Sequence, residues 1–155
     1  MAMLCLGGIA LQDFKERQVY GFLFPVLAII LGYAHVLVGP SWAVTALQMA
    51  LNMLLVTLVV TIAYGYTKFL KKQAFLNHSL GLGDILFFGA MAVGFPSTVF
   101  LVLFTGALLF SLLVFWALRA HFKDGTIPLA GLMGLFLIAV LGVSLLFKQP
   151  LLYTL

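Results

Sequence analysis

The chain has 155 residues, 65% of them hydrophobic and 8% charged, with a mean hydropathy of +1.24. Soluble domains are roughly 45–50% apolar, so this composition describes an integral membrane protein, with length for five or six crossings of a bilayer core about 30 Å thick and for no soluble domain of ordinary size. A single cysteine, Cys5, excludes a disulfide framework or a cysteine zinc site built from this chain.

In chain order, the opening "MAMLCLGGIA" lacks the positive n-region of a signal peptide and is expected to be a retained helix over 2–14. Apolar blocks follow at 21–39, 42–66, 84–118 and 129–147, separated by "DFKERQVY", "GPS", "TKFLKKQAFLNHSLGLG" and "RAHFKDGTI". The block 84–118 would make a helix of roughly 50 Å, too long for one crossing. It contains "GFPST" at 94–98, where Pro96 disfavours helix at the residue before it, so a turn there divides the block in two. The expected fold is all-α: a polytopic membrane protein of about six transmembrane helices in a single domain, 1–155.

Charge placement tests that count independently. With a turn near Pro96, the loops carrying Lys15, Arg17, Lys68, Lys71, Lys72, Arg119 and Lys123 fall on one side of the membrane, and Lys148 is left on the other. Seven of the eight basic residues then obey the positive-inside rule, which places both termini outside and the loops near 15–20, 67–80 and 119–127 in the cytoplasm. Topology thus accounts for the net charge of +4, and no nucleic-acid partner is implied.

The same topology brings two acids to one boundary. Asp13 ends the first helix and Asp84 begins the fourth, both at the cytoplasmic edge of the apolar layer, where a carboxylate is costly and marks a functional site. Glu16 and Asp124 lie among basic neighbours in hydrophilic loops and read as solvated charges. Two aspartates a few ångströms apart cannot both ionise cheaply; they share a proton, one serving as base toward a water and the other as acid toward a peptide carbonyl. Gly81 and Gly83 suit such a site by letting an extended substrate backbone come close and by permitting dihedrals that other residues resist. In a first helical turn, Asp84 would also have its anionic form favoured by the helix dipole.

The order of these features resembles the type IV prepilin peptidases and the related archaeal preflagellin peptidases, membrane-embedded G-x-G-D aspartic proteases, over nearly the whole chain. Their first motif reads roughly D-x-x-x-R-x-I-P-N, and "DFKERQVYG" keeps Asp13, Arg17 and an aliphatic Val19. Their second reads G-x-G-D-[VI]-K-L, and "GLGDILFFGAMAVG" keeps Gly81, Gly83, Asp84 and Ile85. A third stretch, I-P-F/L-small before the last helix, is matched by "TIPLAG" at 126–131. Tyr20 and Gly21 stand where the family has Pro-Asn, and Leu86 replaces the usual lysine. The many-cysteine region that accompanies N-methylation in longer members has no counterpart in this sequence. The resemblance implies an aspartic endopeptidase with Asp13 and Asp84 catalytic, Gly81 and Gly83 against substrate, and no cofactor. It also implies leader peptides of pilin-like precursors as partners, with membrane lipid around the chain, in the inner membrane of a prokaryote. Its alternatives are a small proton-coupled carrier, a membrane assembly subunit or a catalytically impaired member; a carrier would tend to show repeats, and none is visible between 1–77 and 78–155.

The remaining polar residues read as structural. His35, inside the second span, is expected to bond a neighbouring helix's backbone, and Gln48 and Asn52, at i and i+4 on one face of the third, to make interhelical hydrogen bonds. His78 and His121 share no metal-ligand spacing with it, so no metal is assigned. Ser79, Ser97 and Ser111 have no histidine at a suggestive spacing and no G-x-S-x-G, which argues against a serine hydrolase. Trp42 and Tyr66 read as interface anchors, and Gly89, Gly94, Gly106, Gly131, Gly134 and Gly142 as sites of close helix packing.

Overall fold

A computed structural model describes residues 1–16, 19–68, 81–118 and 128–146. The elements within them are six helices: α1 (Ala2–Glu16), α2 (Leu23–Val38), α3 (Trp42–Tyr66), α4 (Leu82–Gly94), α5 (Ser97–Leu118) and α6 (Leu129–Leu146). Arg17, Lys71, Lys72, His78, Ser79, Arg119, His121, Lys123, Asp124 and Lys148, on which part of the charge and loop reading rests, lie outside the described residues.

The long apolar block divides where proline chemistry requires it. Phe95 is extended at φ −140°, ψ 150°, the region to which a following proline confines a residue. Pro96 then contributes its carbonyl to the first bond of α5, accepted from Phe100 N at 2.7 Å. Three helices, α3, α5 and α6, are long and apolar enough to cross a membrane, while α2 and α4 are apolar but shorter.

α2 packs most extensively with α4, and α1 with α6; α1 also meets α2, and α4 meets α6. These four helices therefore form a closed ring in which α1 and α4 sit diagonally, their backbones not closely approaching. α3 and α5 lie outside the ring, both against α4, with α5 also against α6. The ring is filled by Leu6 and Ile9 of α1, Phe24 and Leu27 of α2, Phe87 and Met91 of α4, and Met133 and Leu137 of α6, all fully buried or nearly so. The outward stripe Leu47, Leu51, Leu54, Leu58 and Ile62 of α3 is exposed, as are Trp42 and Tyr66 at its two ends.

The end of the bundle holding Pro96 is tied by side-chain amides. Asn52 Nδ2 donates to the carbonyls of Ala92 (3.0 Å) and Phe95 (2.9 Å), meeting orphan acceptors at the end of α4. His35 Nδ1 donates to Val93 O at 3.0 Å, and its Nε2 pairs with the Gln48 side-chain amide at 3.1 Å. The interhelical roles read from sequence for His35, Gln48 and Asn52 are the ones seen.

The glycine reading holds in part. A Cβ on Gly94 would lie 2.8 Å from Leu31 Cβ, and one on Gly106 would lie 3.0 Å from the Phe136 ring, so both allow close approach. Gly89 does not: nothing lies within 4 Å of the Cβ it would carry, so its expected packing role is corrected. Gly89→Ala should therefore leave stability unchanged or raise it by up to about 1 kcal/mol through helix propensity. Gly94→Ala should lower it, since Leu31 meets the new methyl with its own Cβ, which no rotamer change moves away. Thermal unfolding of the two variants in detergent checks the opposite signs.

Candidate functional site

α6 begins without a cap of its own. The first bond of the helix runs from Leu132 N to Pro128 O (3.0 Å), which leaves the N–H groups of the preceding turn without partners inside the helix. A Ser, Thr, Asp or Asn at 128 would accept from one of them. Pro128 has no side-chain acceptor, and it is buried, as are Ala130 and Gly131.

Two aspartates from other helices fill that role. Ala130 N donates to Asp84 Oδ1 at 2.9 Å, and Gly131 N donates to Asp13 Oδ2 at 2.7 Å. Asp84 is the third residue of α4, and its other oxygen, Oδ2, accepts from Gly81 N at 3.0 Å, which caps the start of α4. One carboxylate thus closes two helix starts, and its expected place in a first turn, where the dipole favours negative charge, is the place observed. Asp13 occupies the last turn of α1, the end at which a helix dipole disfavours an anion; the N-terminus of α6 offsets that. Each carboxylate is half-buried, and Asp13 acts electrostatically on Asp84 across the site.

The sequence-predicted residues Asp13, Asp84, Gly81 and Gly83 therefore converge at one end of the ring, although the backbones of α1 and α4 do not approach closely. The reason given for the glycines needs correcting. Gly81 has φ −72° and ψ 148°, a conformation any residue adopts, and Gly83 is helical. What both supply is space: a Cβ on Gly81 would stand 3.1 Å from Asp84 Oδ2, and one on Gly83 would stand 3.3 Å from the Phe24 ring. Gly131, expected from sequence to serve close helix packing, instead faces an acid: a Cβ there would lie 3.1 Å from both Cβ and Oδ2 of Asp13 and 3.3 Å from the Phe14 ring. Gly131 thus makes room for a carboxylate.

Around the pair, Tyr20 N donates to Gln12 Oε1 at 3.0 Å, tying the α1–α2 turn to α1, and the Tyr20 and Phe22 rings stack at 6.0 Å. Glu16 is exposed, in keeping with a solvated charge, and Leu86 is partly exposed. Among the described residues no cluster of three His, Cys, Asp or Glu side chains joins the two aspartates. Sequence reasoning missed Ala130 and Gly131 as donors. The signal lay in "TIPLAG": a helix starting on proline with no capping side chain must have its N–H groups met from elsewhere. Compared with known proteins, the chain matches no family model, no curated protein and no solved structure.

The capping geometry makes its own prediction. Asp13→Ala and Asp84→Ala remove acceptors from N–H groups at helix starts and should each cost about 1 kcal/mol. Asp13→Asn keeps the one acceptor that Gly131 N uses and should cost much less than Asp13→Ala, whereas Asp84→Asn offers one acceptor to two donors, Ala130 N and Gly81 N, and should fall between wild type and Asp84→Ala. Unfolding midpoints of the four variants in detergent check the order.

Proposed function

We propose that the chain is a membrane-embedded aspartic endopeptidase that cleaves leader peptides of pilin-like precursors at the cytoplasmic face of a prokaryotic inner membrane. The observation that carries this reading is that Asp13 and Asp84 accept from consecutive N–H groups of α6. Two carboxylates 71 positions apart in sequence are thereby neighbours, as proton-sharing chemistry requires. The resemblance of the motifs around them to prepilin peptidases supports the reaction type, and the substrate class rests on that resemblance alone.

In this mechanism the ionised aspartate takes a proton from a water whose oxygen attacks the scissile carbonyl. The protonated aspartate gives its proton to the carbonyl oxygen, producing a neutral gem-diol. Collapse breaks the C–N bond; the leaving amine takes the proton the base had gained, and the acid recovers its own from a diol hydroxyl. The pair ends each turnover sharing one proton, so activity should follow a bell-shaped pH profile belonging to the pair.

The reading includes six crossings with both termini outside. Lys15 near the end of α1 and Lys68 just after α3 support it, since alternating crossings put both on the side of the aspartates. One observation favours a second reading. Each aspartate is bonded as a purely structural cap would be, and Tyr20, Gly21 and Leu86 replace motif residues, as suits a carrier, an assembly subunit or an impaired enzyme.

Cleavage assays with purified protein and candidate precursors separate the two. Asp13→Asn and Asp84→Asn should each abolish turnover with the fold intact, because the amide cannot exchange the proton, while Glu16→Gln should change the rate little. Full activity in either Asn variant would remove the aspartyl mechanism. For topology, single cysteines at Ser41, Ser97 and Lys68 in a Cys5→Ser background can be probed with an impermeant thiol reagent. Those at 41 and 97 should label from outside and the one at 68 only after lysis.

A further inference from the structure

We infer that the first turn of α6 is the positioning element of the carboxylate pair, with Gly131 the residue on which the placement of Asp13 depends. The catalytic meaning of this placement rests on the peptidase reading; the placement itself does not.

Three observations carry it. First, the backbones of α1 and α4 do not approach closely, so helix-on-helix packing between those two does not fix how far apart their aspartates stand. What spans the gap is one stretch of α6 backbone. Ala130 N and Gly131 N belong to consecutive residues, whose equivalent backbone atoms repeat within about 4 Å. The oxygens they hold at 2.9 and 2.7 Å are drawn to a spacing set by helix geometry and by no side-chain rotamer of α6.

Second, Pro128 keeps those donors available. Any capping side chain at 128 would compete for the N–H groups at the second and third helical positions, which are the two the aspartates use. Proline also fixes its own φ, which limits the freedom of the chain entering that turn.

Third, the two donor residues differ in what they tolerate. Ala130 carries a buried methyl without conflict, whereas a methyl on Gly131 would stand 3.1 Å from Asp13 Cβ and Oδ2. Asp13 Cβ is fixed to the α1 backbone and cannot swing aside. Relief requires α1 to shift against α6, or the carboxylate to leave its N–H, and either change alters the distance between the two acids.

The test has one arm that needs no substrate. Protein labelled with 15N at alanine and glycine, in detergent micelles, is titrated from about pH 3 to 9, spanning ordinary and raised carboxylate values. Amide protons bonded to a carboxylate move as it ionises. The Ala130 and Gly131 amides should both titrate; Asp13→Asn should flatten Gly131 and leave Ala130 responsive, and Asp84→Asn should do the reverse. Amides that ignore pH, or that both follow one aspartate, would overturn the inference.

The second arm is cleavage by Gly131→Ala, with Pro128→Ser, which adds a competing cap, as an independent variant. Both should keep the wild-type spectrum away from the site and lose roughly ten- to a hundredfold in kcat with KM little changed, the scale set by small misplacements of reacting groups. In Gly131→Ala the acidic limb of the profile should move to higher pH, because losing an N–H bond to the charged form makes an acid easier to protonate. Wild-type kcat and an unmoved limb in both variants would also overturn it. Protein that cleaves nothing while both amides titrate as described would remove the peptidase reading and leave the positioning intact.

Discussion

A helix preceded by a buried proline presents N–H groups that no side chain at its own start can meet. Leaving such groups unpaired costs more than almost any single apolar contact returns, and more still away from water. In this protein the debt at α6 is met by Asp84 from α4 and Asp13 from α1, at 2.9 and 2.7 Å. Much else follows from that arrangement. Two helices on opposite corners of the ring are joined through a third, and the acid at the unfavourable end of the α1 dipole gains a favourable one. Both carboxylates are held in the half-buried zone that each would otherwise avoid.

The opposite end of the ring uses different chemistry for the same problem. There it is carbonyl groups at the close of α4 that lack partners, and Asn52 and His35 supply the donors. Between the two ends α2 and α4 lie close because Gly94 admits Leu31 and Gly32 admits Val93. In an apolar solvent, association of helices depends on such small-residue contacts and on polar bonds more than on hydrophobic burial. α4 is thus fastened at its start by a carboxylate, at its finish by amide and imidazole, and along its length by glycine contacts.

Much of this could be read from the chain. Hydropathy located the helices, and Pro96 divided a block that length alone would have left whole, because proline constrains its neighbour in any environment. Asp13 and Asp84 stood out since charge is rare in this composition, and Gln48 and Asn52 announced a shared face by their spacing. What stayed hidden depended on the third dimension. Glycine has one letter for several jobs: Gly94 admits a leucine, Gly131 admits a carboxylate and Gly89 faces open space, and only the neighbours tell them apart. The donors at Ala130 and Gly131 were invisible for a related reason, since backbone N–H groups occur at nearly every position and become distinctive only where a helix start leaves them unmatched.

The length of α4 has a bearing on solvent. At 13 residues it reaches about 20 Å, against an apolar layer of about 30 Å. Fastened at both ends, it has little freedom to lengthen or slide. Wherever such a rod stands in a bilayer, the lipid around it must thin or the polar phase must dip to reach its ends. A carboxylate on its first turn would then lie at the floor of a hydrated depression, below the plane of the headgroups. Under the peptidase proposal, a peptide still partly in the apolar layer would meet water there without leaving it.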